Sequence, residues 1–280
     1  MTPPPARRVV GRLPAAAAVV VSAAVWVVLL GPLVVLLGQV SPHSLSRTLG
    51  RPGALDPLWT SLEASAIALG AMVALGTPLA YLLARGRSRL TRVVEAGVVV
   101  PLLMPPLVIG LLLIFLIGQA GPVGRVVAGV DPSVFGVNTF FALVVAEFYE
   151  AAPYYVISAA AAFTGVDTRL EDDARLLGDS SFAAFRKVTL PLSAPGIATG
   201  LAISWARAMG AFGAVLIVAY NPAGLPIEID QTFIANGLGP ALAFALLLIV
   251  ASLPLPLLAL LWSSRARGRR AVPVPVSLDL

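Results

Sequence analysis

The sequence predicts an all-α polytopic protein that crosses a membrane six times. Three observations carry this. Of its 280 residues, 58% are hydrophobic and 12% charged, about half the charged share of an ordinary soluble domain, and the mean hydropathy is +0.93. Apolar runs of about 20 residues, long enough to cross the hydrocarbon core as helix, recur along the chain. Lys and Arg concentrate in every second segment between those runs.

The first 14 residues, MTPPPARRVVGRLP, are rich in Pro, carry Arg7, Arg8 and Arg12, and read as a disordered tail. The run from Ala15 to about Val40 is too long for the h-region of a signal peptide and reads as a retained first span. Gly31-Pro32 suggests a kink in it. A polar loop follows to about Trp59. The second span runs from about Thr60 to Leu83 and contains Glu63, Gly70, Gly76 and Pro78. The short loop ARGRSRLTR then supplies Arg85, Arg87, Arg89 and Arg92.

The third span, about Val93 to Gly118, holds Pro101, Pro105 and Pro106. Membrane helices tolerate such residues where neighbours or water satisfy the freed carbonyls, which points to a bundle interior or a cavity wall. The Gly-rich loop from Gln119 to Val137 carries Arg125 and Asp131 but lacks the G-x-x-x-x-G-K-[ST] spacing of a phosphate cradle. Further spans are expected from about Asn138 to Phe163, Ala194 to Tyr220 and Gly239 to Trp262. One membrane domain, residues 15–263, is therefore expected. After it comes a flexible tail, residues 264–280, that includes Arg265, Arg267, Arg269 and Arg270.

Fifteen of the 19 Lys and Arg residues fall in the two terminal segments and the second and fourth loops. Cytoplasmic loops accumulate these residues, so both termini read as cytoplasmic in a plasma-membrane protein surrounded by lipid. The net charge of +5 is then topology, and no nucleic-acid partner is implied. With no Cys and one His, His43, thiol chemistry, disulfides and Cys/His metal sites are excluded. No catalytic residues, cofactor or metal are expected.

The longest polar segment, TRLEDDARLLGDSSFAAFRKVTLPLSAP from Thr168 to Pro195, lies within the fourth loop, residues 165–195. It reads as two short helices. Thr168 and Glu171 have the spacing of a capping box, and Glu171, Asp172 and Asp173 put negative charge in the first turn, where the helix dipole favours it. Gly178 suits a left-handed helix end, and Asp179 or Ser180 can cap the next helix. Phe182 and Phe185 are expected on one face of that helix, and Pro191 and Pro195 are expected to stop it.

These residues resemble the cytoplasmic coupling loop of binding-protein-dependent ABC importer permeases. That family shows EAA, three residues, Gly, nine residues, an apolar residue, one residue and Leu-Pro. Asp172-Asp173-Ala174, Gly178, Val188 and Leu190-Pro191 fall at those spacings. Asp172 replaces the usual Glu conservatively, and Asp173 replaces an Ala. The resemblance implies the type I importer permease fold, and Glu171, Asp172, Asp173, Ala174, Gly178, Phe182, Phe185, Leu190 and Pro191 as the ATPase-coupling residues. It also implies a homodimer, two copies of a separate ATP-binding subunit and an extracytoplasmic substrate-binding protein. The chain has no ATP-binding motif of its own, and its only lysine is Lys187, so it is expected not to be an enzyme.

The fifth span supplies candidates for the path. Gly196 and Gly200 form a G-x-x-x-G that lets another helix approach closely. Gly200, Ser204, Ala211 and Gly213 continue a small-residue stripe, which either packs a helix or lines a translocation path between two copies of the chain. Arg207 lies near the middle of this span, where an unpaired charge is costly. Glu147 and Glu150 lie at comparable depth on the fourth span, so an intramembrane Glu150–Arg207 pair and a substrate-path role for Arg207 both remain open. Ala152-Pro153-Tyr154, Gly165-Val166-Asp167, Ala206-Arg207-Ala208 and Phe212-Gly213-Ala214 resemble the molybdate/tungstate branch of the family, related to sulfate permeases. Ala211 departs from the Glu that this branch carries before Phe-Gly. The resemblance implies an oxyanion substrate, molybdate or tungstate, with sulfate or another small solute as the alternative. A self-contained secondary transporter using Glu147, Glu150 and Arg207 as a relay is the alternative of another class.

Overall fold

A computed structural model describes residues 15–127 and 134–270. Among the described residues all regular structure is helical, and six helices are long and apolar enough to cross a membrane. This is a multi-pass membrane protein.

Helix α1 (Ala15–Gln39) is apolar on every side, none of its residues 17–39 is buried, and it packs against a late helix of the bundle. The short α2 (Pro42–Leu49) begins at Ser41, whose hydroxyl accepts the Ser44 N–H at 3.1 Å. Helix α3 (Asp56–Arg85) buries Ser61, Ala64, Ser65, Ala68, Met72, Gly76 and Ala80, a stripe of mostly small residues at helical spacing. Such a stripe lets a neighbouring backbone come close.

The expected third span is two helices, α4 (Arg89–Leu103) and α5 (Pro106–Ile117). The residue before a proline is pushed out of the helical region, and Met104, before Pro105, is extended with φ −84° and ψ 136°. After α6 (Pro122–Val127), the part of the Gly-rich loop around Asp131 lies outside the described residues. Helix α7 (Phe140–Thr164) is capped by the Thr139 hydroxyl on the Ala142 N–H. It is the centre of the bundle, packed along most of its length against α3 on one side and, on another, a helix described next.

That helix begins earlier than the expected Ala194. Two short helices, α8 (Thr168–Leu176) and α9 (Ser181–Ala184), lead through a π-helical turn, Phe185–Thr189, directly into α10 (Leu190–Met209). Pro191 therefore does not stop the chain. Proline removes one N–H and crowds the preceding turn, and here a wider turn immediately before it makes room for the ring: Leu190 N–H bonds Phe185 O, five residues back. Pro195 lies inside α10.

Helix α10 ends at Met209. The chain resumes as α11 (Gly213–Val218), runs through an irregular stretch to α12 (Leu225–Asn236), and turns at Gly237, with φ +79°, into α13 (Leu238–Ser252). Pro254 opens α14 (Pro254–Arg270), which carries the helix past the expected domain end at residue 263. The expected N-terminal tail, residues 1–14, and the last ten residues of the expected 264–280 tail lie outside the described residues. The core has two main parts: α5, α7 and α11 meet around Ile109, Leu113, Leu143 and Val215, and α3, α7 and α10 around Met72, Tyr155 and Phe163.

Candidate functional site

Two clusters hold the polar side chains singled out in the sequence. The first is the knuckle made by α8 and α9 at one end of the bundle. Its first helix is capped by Asp167, whose carboxylate accepts the Arg169 N–H at 3.0 Å. The expected Thr168–Glu171 capping box does not form, because Glu171 points inward. Only 4% exposed, it accepts hydrogen bonds from Tyr81 Oη at 2.8 Å and Thr189 Oγ1, and pairs with the Arg85 guanidinium. Burial pushes the Glu171 carboxyl up, but the bonds from Thr189, Tyr81 and Arg85, together with the Arg85 charge, outweigh it. The net result is a carboxyl held below the usual carboxylate range.

The rest of the knuckle faces outward. Asp172 and Asp173 are exposed, Ala174 is half-buried, and Leu176 and Leu177 are 85% and 90% exposed. Gly178 has φ +99° with open space where a side chain would begin. Ser180 caps α9 by accepting the Ala183 N–H at 3.2 Å, and Lys187 Nζ pairs with Asp179 at 2.5 Å. Phe182 and Phe185 line one cleft but lie at different depths. Phe182 is exposed, whereas Phe185 packs edge-on to Tyr81, ring centroids 5.1 Å apart, and against Phe163. A cleft of about 400 Å³ between Phe182, Phe185, Tyr81, Thr77 and Arg175 opens beside them. Leu190 is half-buried and Pro191 exposed where α10 starts.

The second cluster lies within the spans. Glu147 and Glu150 are both buried. Ser65 Oγ donates to Glu147 Oε2 at 2.8 Å. Glu150 Oε2 lies 2.9 Å from Arg207 Nη2, and its Oε1 accepts the Ala214 N–H at 3.2 Å. The carboxylate thus bridges the end of α10 to the start of α11, across the break at 210–212. Arg207 sits in the last turn of α10, where the helix dipole favours a cation. About a third of its side chain remains exposed, beside the Tyr154 ring.

The small residues flanking Arg207 pack inside the chain. A side chain at Gly200 would meet Ser158 Cβ at 2.8 Å on α7, and one at Gly213 would meet Pro106 Cβ at 2.5 Å on α5. Ser204 is fully buried, donating to Ala151 O, and Ala211 is 2% exposed. The open face of α10 instead carries Thr199, Ile203 and Ala206, with Gly210 exposed just past its end. The sequence did not separate the two faces, because small and apolar residues occur all round this helix. Nor did it single out Tyr81, Arg85 or Thr189; Arg85 counted only as one more basic loop residue. Among the described residues no His, Asp and Glu side chains converge as a metal site.

Residues 76–268 match the family described as the binding-protein-dependent transport system inner membrane component. The chain belongs to that family. As a permease it is 39% identical over 218 residues to a probable molybdenum ABC transporter permease protein of Haloferax volcanii, covering 78% of this chain and 79% of that one. It is 33% identical to the molybdate/tungstate transport system permease protein of Thermococcus kodakarensis, over 79% of this chain and 83% of the relative. It is 32% identical to the molybdenum transport system permease protein of Mycobacterium bovis, over 78% and 83%. Among solved structures, a bacterial alginate ABC transporter in complex with a pentasaccharide-bound periplasmic protein superposes with a TM-score of 0.68 at 17% identity. It covers 89% of this chain and 93% of its own. The MetNI methionine ABC transporter superposes with a TM-score of 0.59 at 20% identity, over 75% and 94%. These likenesses show that the permease has the fold of ABC importer permeases.

Proposed function

We propose that this permease forms the membrane path of an importer for molybdate or tungstate, driven by a separate ATP-binding subunit. The observation that carries the coupling part is the α8–α9 knuckle. It presents Leu176, Leu177 and Phe182 to solvent around the open Gly178, and apolar side chains exposed together mark an interaction surface. Glu171, Asp172, Asp173, Ala174, Gly178, Phe182, Phe185, Leu190 and Pro191 form the coupling unit, with its outward members docking on the ATP-binding subunit. The substrate reading is supported by the names of the relatives above 30% identity.

The functional unit is two copies of the chain with two ATP-binding subunits in the cell membrane, both termini cytoplasmic, served by an extracytoplasmic binding protein. ATP hydrolysis belongs to the partner subunit. In this arrangement Arg207 and the open face of α10 line the path, while Gly200 and Ser204 fix that helix to α7, and Ala211 and Gly213 seat the segment that follows it against α5. Family membership favours this over a gradient-driven transporter built on Glu147, Glu150 and Arg207. ATP-driven closure of the partner subunits draws the two knuckles together and rocks the path helices open to the binding protein.

The test is co-expression with the ATP-binding subunit and binding protein of the same organism, followed by native mass spectrometry and uptake of radiolabelled molybdate into proteoliposomes. The expected result is a complex of two permeases and two ATPases whose uptake needs ATP and is competed by tungstate. A permease that carries the anion without any ATPase would refute the proposal.

A further inference from the structure

The inward side of the knuckle is built differently from its outward side. Glu171 stands one residue before the exposed Asp172, yet it is almost fully buried and meets three donors on two other segments. Tyr81 and Arg85 come from the last turn and a half of α3. Thr189 comes from the π-helical turn that opens into α10. Arg85 also reaches sideways, with Nη1 donating to Val166 O at 3.1 Å, where α7 hands over to α8. One carboxylate and one guanidinium therefore join α3, the end of α7, α8 and the start of α10.

A second layer lies beneath. Tyr81, Phe163 and Phe185, one from each of α3, α7 and the π turn, pack edge-on or tilted with ring centroids 5.1 to 5.8 Å apart. The Arg85 guanidinium sits 5.7 Å from the Tyr81 ring. Aromatic rings packed this way resist sliding because each edge sits against another face. A charged pair with every carboxylate oxygen engaged holds its geometry more tightly than neutral bonds do.

We infer that Arg85, Tyr81, Glu171 and Thr189 form a rigid joint through which displacement of the docking knuckle is delivered to the helices of the path, with Arg85 and Glu171 as its positioning residues. The inference rests on the importer reading above and divides labour within the coupling unit. Asp172, Leu176, Leu177 and Phe182 meet the partner, while Glu171 and Phe185 pass the movement on. The π turn has a part in this, since it sets Thr189 toward Glu171 immediately before α10 begins. Without the joint, α8 and α9 would hang from the bundle by two chain connections, and movement at the knuckle would be spent in bending them.

The experiment compares wild type, Glu171→Gln and Tyr81→Phe, each purified with its ATP-binding subunits and reconstituted with the binding protein and molybdate. Both ATP hydrolysis and uptake are measured. Glu171→Gln keeps the size and one acceptor but loses the charge; Tyr81→Phe keeps the ring and removes one donor. The joint predicts normal assembly and hydrolysis within about twofold of wild type. Molybdate moved per ATP should fall at least tenfold in Glu171→Gln and measurably in Tyr81→Phe. A ratio within twofold of wild type in Glu171→Gln would overturn the joint while leaving the importer reading intact. If Glu171→Gln fails to assemble, Tyr81→Phe decides, and an unchanged ratio there overturns it. A wild-type permease that recruits no ATPase would overturn the importer reading itself, and this inference with it.

Discussion

Replacing Gly196 with alanine tests the contact on which the path helix rests. Gly196 and Gly200 lie four residues apart on α10 and face Ala162 and Ser158, also four apart, on α7. A Cβ at position 196 would stand 2.5 Å from Ala162 Cβ, whereas carbon atoms in contact settle at about 3.5–4.0 Å. The two helices must therefore separate by about 1 Å. Overpacking of this kind costs about 1–3 kcal/mol, roughly a 5- to 150-fold loss in the folding equilibrium. Removing the opposing methyl should relieve it, since the next atom, Ala162 Cα, lies 3.4 Å from the new Cβ. Thermal unfolding in detergent, followed by tryptophan fluorescence and size exclusion, should show Gly196→Ala destabilised. The pair Gly196→Ala with Ala162→Gly should recover most of the loss, because it exchanges one helix-interior glycine for another and the two propensity costs cancel. A Gly196→Ala permease as stable as wild type would refute the argument, and so would additive effects in the pair, because contacting residues should couple.

That contact also marks where sequence reasoning stopped. The G-x-x-x-G showed that something approaches α10 closely, but not which helix, since neither period nor composition distinguishes one apolar neighbour from another. The number of spans was legible because it depends on run length and composition alone. Their interruptions were less so. Met104 breaks the third span because Pro105 follows it, whereas the chain stays helical through Pro191, where a wider π turn directly before it makes room for the ring. The same residue type gave opposite outcomes, and the difference lies in the turn each proline follows. Glu171 shows the other limit. Its capping-box spacing is real, but Tyr81 and Arg85, more than 80 residues away, offer stronger partners than a local backbone N–H. A local motif yields where a tertiary charge pair competes for the same carboxylate. Gly178 was legible for the converse reason. Its left-handed conformation depends on nothing beyond its own turn.

Three further outcomes follow from the same geometry. A Cβ at Gly178 would meet no atom within 4 Å, and Gly178→Trp there bears about 1–3 kcal/mol of backbone strain. Folding should persist while ATP hydrolysis in the reconstituted complex is uncoupled from uptake; unchanged transport would contradict the docking role. Arg207→Ala strands the buried Glu150 carboxylate with the Ala214 N–H alone. It should cost toward the lower end of the ~3–5 kcal/mol for a broken buried pair, because Arg207 is partly exposed. Adding Glu150→Gln should recover part of that loss in the same unfolding assay, and additivity of the two would argue against the pair. The last outcome concerns acid. Glu171 is held below its ordinary range by Thr189, Tyr81 and Arg85 against the opposing effect of burial. A carboxyl whose folded value is depressed contributes stability that is fully present above its unfolded value, about 4.3. That contribution is lost as pH falls through the depressed value, because the proton then binds the unfolded chain first. Unfolding midpoints measured from about pH 3 to 8 should therefore fall on the acid side more steeply in wild type than in Glu171→Gln, and the two slopes should agree near neutrality. Superimposable acid limbs would mean that the Glu171 carboxyl binds its proton equally well in the folded and unfolded chain, and that the bonds from Thr189, Tyr81 and Arg85 do no more than offset its burial.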